Sequence, residues 1–280
     1  MVKNVSNRSP KPFLRWAGGK NRSVPFLVDH LPSDFSTINR YFEPFLGAGS
    51  LFFSLTPRKA KLSDINKDLI ECYQAVKQHP DLVSRYLDQH LTKTCEAYYY
   101  QMRHKYNYSK PSIYRAALFI YLNKTCFNGI WRVNKKGEFN VPYGQQDHPA
   151  LPSKDELIEL SGALANAELE QKNYKDITDD VKQGDFVYLD PPYPPLSNTS
   201  NFTHYTKEGF NKEDHKELAN FARELTQKGC YVLISNSDTE YIRSLYQNDF
   251  NIFELEVTRL IRADGTRYKV REIAITNYDA

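Results

Sequence analysis

Cysteine is scarce in this 280-residue sequence. Cys72, Cys95, Cys126 and Cys230 are the four present. No two stand in a short metal-type pair, which argues against zinc. A chain of this length buries a sizeable core and needs no disulfide framework, so ordinary reduced thiols in a cytoplasmic protein are expected. No run of 18 apolar residues occurs, so no membrane span is expected. The first eleven residues are polar and basic with no apolar stretch behind them, and they do not read as a signal peptide. Internal repeats and low-complexity tracts are absent, and nothing implies an obligate protein partner. The P-loop pattern is missing, since Leu14 stands five residues before Gly19 in Trp16-Ala17-Gly18-Gly19-Lys20. So is a nicotinamide fingerprint: Phe52 occupies the position of the third glycine after Gly47 and Gly49.

A net excess of charge of one sign is nearly lacking as well. The 37 Lys+Arg and 34 Asp+Glu leave a net +3, which does not by itself suggest a polyanionic partner. The distribution says more. Residues 75–150 carry 11 Lys+Arg against 5 Asp+Glu, a net +6, which leaves the rest at −3. Such an asymmetry suits one region meeting phosphates, or a solvated helical surface. Aromatic residues are plentiful, with 20 Tyr and 16 Phe, and nucleic-acid bases stack on such rings.

Short apolar runs alternate with amphipathic stretches. Residues 41–45, 60–63, 186–189, 231–235, 251–257 and 270–276 read as strands, and 66–78 and 212–228 as helices with good caps. Strand and helix in this order predict a mainly parallel α/β sheet. Residues 82–121 are Tyr-rich and charged with helical spacing, and Asn134-Lys135-Lys136-Gly137 reads as a tight turn of a hairpin. The expected organisation is a catalytic part, 1–74 and 151–280, with a helical insertion at 75–150.

Phe42-Glu43-Pro44-Phe45-Leu46-Gly47-Ala48-Gly49-Ser50 follows a strand and precedes a helix. Glycines there allow a sharp turn and close ligand approach, and the amides at the helix start favour an anion. Asp64, ending the next strand, stands where an acid binds ribose hydroxyls in nucleotide-binding α/β units. Lys20 could offer its cation to a carboxylate or serve a structural turn in solvent.

Phe186-Val187-Tyr188-Leu189-Asp190-Pro191-Pro192-Tyr193 is the strongest signal. Two prolines after a buried strand fix an extended backbone without amide hydrogens. The Asp190 carboxylate and the Pro191 carbonyl can accept the two hydrogens of a planar amino group. That localises the nitrogen lone pair, while Tyr193 stacks on the ring. With an activated methyl donor, positioning and electrostatics suffice, and no nucleophilic Ser, Cys or metal is needed.

On these motifs the chain resembles the DNA adenine methylases that modify GATC, a D12-class α-group arrangement with the glycine motif first and the catalytic motif last. The resemblance implies a Rossmann-like methyltransferase sheet with an inserted helical target-recognition domain carrying a β-hairpin. It also implies S-adenosylmethionine as cofactor and double-stranded DNA as partner, with the target adenine flipped out. The implied cofactor residues are Trp16, Ala17, Gly18, Lys20, Glu43, Pro44, Phe45, Gly47, Ala48, Gly49, Ser50, Asp64, Tyr174 and Asp190. The implied catalytic set is Asp190, Pro191, Pro192 and Tyr193.

The run Asn123 to Arg132, followed by Gly137 to Gly144, is similar to the family's recognition hairpin. By that resemblance Arg132 reads a guanine edge, for which its fork is suited. Arg15 reads the first guanine, Phe127 and Asn128 enter the stack, and Ile130 and Pro142 lie near the thymine methyl. Asn123 and Asn140, and Ser197 and Asn201 after the catalytic motif, complete the implied DNA contacts. Phe139 is expected in a small hydrophobic core. Gln145-Gln146 depart from the pattern, since a basic residue often follows Gly144. That leaves open a longer or altered target such as GATATC. An RNA or N4-cytosine methyltransferase, and a DNA- or cofactor-binding module without activity, are the other readings.

Overall fold

A computed structural model describes residues 9–145, 149–193, 210–260 and 267–280. A seven-stranded sheet in the order β3-β2-β1-β4-β5-β7-β6 forms its centre. The strands are β1 (Tyr41–Glu43), β2 (Ala60–Asp64), β3 (Ala167–Gln171), β4 (Phe186–Leu189), β5 (Tyr231–Ser237), β6 (Asn251–Leu260) and β7 (Arg267–Thr276). Strands β1 to β5 pair in parallel, with Phe42 opposite both Lys61 and Val187 and Leu189 opposite Ile234. Strand β7 runs antiparallel between β5 and β6. The sheet is therefore Rossmann-like and mostly parallel, as its sequence predicts. Strand β1 ends at Glu43, two residues short of the predicted limit, because Pro44 has no amide hydrogen for the ladder. Strand β3 went unpredicted. Ala-Glu-Leu-Glu-Gln buries only its first residue and lies at the sheet edge, so it carries no continuous apolar run.

Alternate strand residues feed two cores. Tyr41, Leu62, Phe186, Tyr188 and Leu233 face one side, together with residues of α2 (Ser50–Leu55), α3 (Lys67–Gln78) and α7 (Lys154–Leu164). Leu27 of α1 (Val24–Asp29) joins them. Phe42, Val187, Leu189, Val232 and Ile234 face the other side, against α8 (Lys212–Gln227) and α9 (Glu240–Tyr246). Both predicted helices start at Asn caps. Asn66 accepts the Leu69 amide at 3.1 Å, and Asn211 forms a capping box with Asp214.

The middle of the chain folds as α4 (Pro80–Leu91), α5 (Glu96–Tyr108) and α6 (Ile113–Thr125). Helix α6 is apolar on nearly every side and packs against α3, α4 and α5. Its Phe119 meets Trp131 at 3.9 Å between ring centroids, and Trp131 stacks on Phe139 at 4.2 Å. Phe139 is 1% exposed, as expected of a core residue. These rings belong to the same apolar cluster as Tyr41 and Phe186 of the sheet. The predicted turn closes with the Gly137 amide donating to the Asn134 carbonyl at 2.9 Å. Two isolated antiparallel bridges, Cys126 with Tyr143 and Val133 with Phe139, stand in place of a continuous ladder. Among the described residues no helix is long and apolar enough to cross a membrane.

The Phe119–Trp131–Phe139 stack should hold the turn to the helices. Trp131→Ala is expected to lower the urea-unfolding free energy by about 3–5 kcal/mol. A loss below about 1 kcal/mol, the size of a median point mutation, would show that other contacts hold this segment.

Candidate active site

Strand β1 connects towards β2 on one side, and β4 towards β5 on the other. Their chains diverge at the carboxyl edge, and this divergence opens a crevice where ligands bind in doubly wound sheets. Three acids sit along it. Glu43 ends β1, Asp64 ends β2 and Asp190 follows β4.

The glycine loop between β1 and α2 is tightly constrained. Gly47 and Gly49 have φ of 48° and 64°, and a Cβ on Gly47 would lie 2.9 Å from Trp16 Cδ1. The Gly47 amide donates to Asp64 Oδ2 at 3.1 Å, and the Asn66 amide donates to Oδ1 at 2.9 Å. The Tyr73 hydroxyl donates to the Gly47 carbonyl at 3.0 Å. Pro44 and Ala48 are buried, and Phe45 stacks on Tyr174 at 5.1 Å. Ser50 Oγ is buried with no hydrogen-bond partner among the described residues. Trp16, Glu43, Pro44, Phe45, Gly47, Ala48, Gly49, Ser50, Asp64 and Tyr174 are thus gathered around the ends of β1 and β2. Burial pushes the Glu43 carboxyl up to about 8, opposed by the Tyr41 hydroxyl that donates to it at 2.7 Å and assisted by the negative charge of Asp190. Burial also pushes Asp64 up to about 6, against the pull of the Asn66 and Gly47 amides.

Asp190 is held from two sides. Lys20 Nζ approaches its Oδ1 at 2.8 Å, and Ser235 Oγ donates to the same oxygen at 2.7 Å. Ser235 in turn shares a 2.9 Å hydrogen bond with the Tyr188 hydroxyl. Lys20 is 4% exposed, so the solvated alternative is excluded. Its ammonium also donates to the Gly18 carbonyl at 2.6 Å and lies 4.4 Å from the centre of the Tyr193 ring. It therefore serves Asp190, in line with the expected cation offered to a carboxylate, and its own turn, Trp16-Ala17-Gly18-Gly19. Burial raises the Asp190 carboxyl, Lys20 and Ser235 hold it back, and Glu272 raises it further. Pro191 is buried, and Pro192 and Tyr193 are half-buried.

The expected DNA residues divide into exposed and buried groups. Phe127 is 50% exposed, and Asn128, at φ 53°, Arg132 and Pro142 are exposed with it. Arg132 Nε donates to Asn140 Oδ1 at 2.9 Å across the turn, and Ile130 is half-buried. Asn123 requires a correction. It is 0% exposed; its Oδ1 accepts the Arg15 amide at 2.8 Å and its Nδ2 donates to the Arg15 carbonyl at 2.7 Å. It clamps the Arg15 backbone and presents nothing to a duplex. A Cβ on Gly129 would come 2.5 Å from Arg15 Cβ, so that glycine lets the same segment approach. Ser197 and Asn201 lie outside the described residues.

Sequence reasoning missed Ser235, Tyr188, Tyr41 and Tyr73 as supports of the site. Ser235 carried the one available signal, a hydroxyl at the carboxyl end of an otherwise apolar strand. The tyrosines were hidden because a buried ring with a hydrogen-bonded hydroxyl looks like core in a sequence.

Residues 16–261 match the family described as D12 class N6 adenine-specific DNA methyltransferase. A type II methyltransferase of Lactococcus lactis subsp. cremoris is 38% identical over 275 residues, covering 96% of this chain and 95% of that one. A type II methyltransferase of Methanocaldococcus jannaschii is 39% identical over 287 residues, with 96% and 99% covered. The DNA adenine methylase of Escherichia coli is 39% identical over 266 residues, with 94% of each covered. With a sheet of this topology, an acid-lined crevice at its switch point and a match over most of its length, the chain belongs to the D12 class of N6 adenine-specific DNA methyltransferases.

Proposed function

We propose that this adenine-specific DNA methyltransferase takes its methyl group from S-adenosylmethionine and delivers it to N6 of adenine in GATC, after flipping the base out of double-stranded DNA. The observation that carries the reading is the use of the Asp190 oxygens. Lys20 and Ser235 both bind Oδ1, which leaves Oδ2 to accept a hydrogen from an amino group. The Pro191 carbonyl accepts the second hydrogen, and Tyr193 stacks on the base. Two acceptors on one amino group draw its nitrogen out of conjugation, and the fixed geometry lowers the barrier without covalent catalysis. Unstacking and unpairing the base costs a few kcal/mol, which stacking and edge contacts in the pocket offset.

The glycine crevice fits the cofactor. Gly47 leaves room that a Cβ would fill, Ser50 Oγ has no partner among the described residues, and the backbone amides that orient Asp64 leave its carboxylate acceptor capacity for ribose hydroxyls. When bound, the cofactor supplies a methyl group on a sulfonium that is its own leaving group. The relatives named DNA adenine methylase support adenine in DNA as the substrate, and the resemblance of Arg132, Arg15, Ile130 and Pro142 to the family's recognition residues supports GATC as the target. Residues 75–150, with net +6, would form the target-recognition domain, and 1–74 and 151–280 the catalytic one.

Asp190→Ala should abolish methyl transfer to a GATC duplex while DNA affinity stays within about an order of magnitude; retained turnover would remove Asp190 from the mechanism. Arg132→Ala should relax discrimination at one base pair by about 1–3 kcal/mol, read as kcat/KM on singly substituted duplexes. Unchanged selectivity would refute guanine reading by this side chain. The buried acids set a pH dependence of stability. The folded-state value of Glu43, about 8, lies above its ordinary 4.5, so the fold is favoured where the carboxyl keeps its proton. That contribution is complete below the ordinary value and is lost as pH rises through about 8, and Asp64 acts with the same sign. The Tm of the cofactor-free protein should therefore fall as pH rises across this window, and fall less in Glu43→Gln. Parallel Tm profiles for the two proteins would contradict the assignment.

A further inference from the structure

The turn that carries Lys20 is anchored at a point remote from the glycine loop. Ser23 and Val24 donate their amides to the Lys20 carbonyl at 2.8 and 2.9 Å, which fixes the backbone leading into α1. The Ser23 side chain then donates to Glu272 Oε2 at 2.9 Å, a contact between positions 249 residues apart. Ser23 and Glu272 are each 4% exposed. Glu272 lies on β7 directly opposite Ser237 of β5, two residues along from Ser235, which binds Asp190. Asp190 is thus reached along two routes, Glu272–Ser23–Lys20 from one side and Ser235 from the other. A buried carboxylate on an antiparallel strand inside the sheet is costly to keep.

We infer that Glu272 is a positioning residue for methyl transfer: through Ser23 it seats the Lys20 turn against Asp190, and by its own negative charge it keeps Asp190 a strong acceptor for the amino hydrogen. The two influences oppose each other. Lys20 stabilises the Asp190 carboxylate and weakens it as an acceptor, while Glu272 acts in the other direction. Among the described residues the other titratable groups that act on Asp190 are Glu43 and Tyr41 from β1 and Tyr188 from β4, with Tyr193 against Lys20 just beyond it. None of these lies on β7, so the contribution of Glu272 can be removed separately.

The test rests on the role proposed for Asp190 and uses the full-length protein with S-adenosylmethionine and a GATC duplex. The kcat and KM are measured over a pH series for the wild type, Glu272→Gln, Ser23→Ala and Ser23→Thr, with thermal melts as the check on folding. Glutamine still accepts from Ser23 but lacks the charge, so Asp190 titrates lower. The acid limb of kcat should move to lower pH and its plateau should fall about tenfold, with KM for DNA within about twofold. Ser23→Ala keeps the backbone bonds to the Lys20 carbonyl but removes the anchor to Glu272, so Lys20 is held less closely on Asp190 and the acid limb should move to higher pH. Threonine keeps the hydroxyl and should restore the wild-type profile. Opposite displacements in two folded variants are not what a purely structural role produces. Acid limbs that stay in place, or move in the same direction, would overturn the role of Glu272. A wild-type protein that transfers no methyl group would instead overturn the reading of Asp190 beneath it.

Discussion

The contact on which the site depends is the 2.8 Å pair between Lys20 and Asp190. It joins the segment before α1 to the end of β4, across the point where the sheet changes direction. Removing an ammonium from water costs several kcal/mol, and such a pair stabilises only where hydrogen bonds satisfy the remaining donors and acceptors. Here they do. The Gly18 carbonyl accepts from the ammonium, Ser235 donates to the carboxylate, and the Tyr193 ring lies against the cation. The arrangement therefore specifies geometry more than it adds stability. It leaves one carboxylate oxygen engaged and the other directed elsewhere, which a carboxylate in solvent cannot sustain.

The same segment also joins the sheet to the helical middle of the chain. Trp16 fills the space beside Gly47 and stacks over Phe119 of α6 at 6.3 Å, while Asn123 grips the Arg15 backbone one turn further along that helix. Residues 15 to 20 thus touch the glycine loop, the acid after β4 and the helix leading into the basic turn. One short stretch sets the distance between the crevice and the exposed surface around Phe127. This explains why α6 is buried on nearly every side. It is a spacer inside a continuous core, so a shift in its packing would be felt at both ends.

Much of this was legible in the sequence because the parallel strands are buried on both faces and read as unbroken apolar runs. Phe186–Leu189 was read to the residue, and Asp64 and Asp190 fell where strand-terminal acids were expected. Strand β3 was not legible, since an edge strand with one apolar position per turn of the pleat resembles a loop. Asn123 was misjudged for a related reason. An asparagine ahead of an exposed, basic turn looks like a contact residue, and only the fold reveals that Arg15, 108 positions earlier, takes both ends of its amide. Lys20 stayed ambiguous in the same way, because sequence proximity to glycines says nothing about an acid 170 positions later.

The exposed turn shows the opposite economy of contacts. Asn128 adopts the left-handed conformation, which asparagine tolerates better than most residues, and the neighbouring Phe127 ring stays half in solvent. Among the described residues Arg132 engages its Nε with Asn140 and makes no further hydrogen bond, which leaves its two terminal amino groups as a parallel pair. That pair is what a guanine edge with two acceptors demands, and fixing Nε removes one of the side chain's torsional freedoms before any DNA arrives. The crevice orients Asp190 by engaging one carboxylate oxygen from two sides, whereas the turn holds its arginine by restraining one nitrogen. On the proposed reading, Asp190 as acceptor would have to be oriented before the base enters, and Arg132 as base reader would keep its donors in water until a duplex replaced that water; the deeper burial of the one and the exposure of the other suit those two roles.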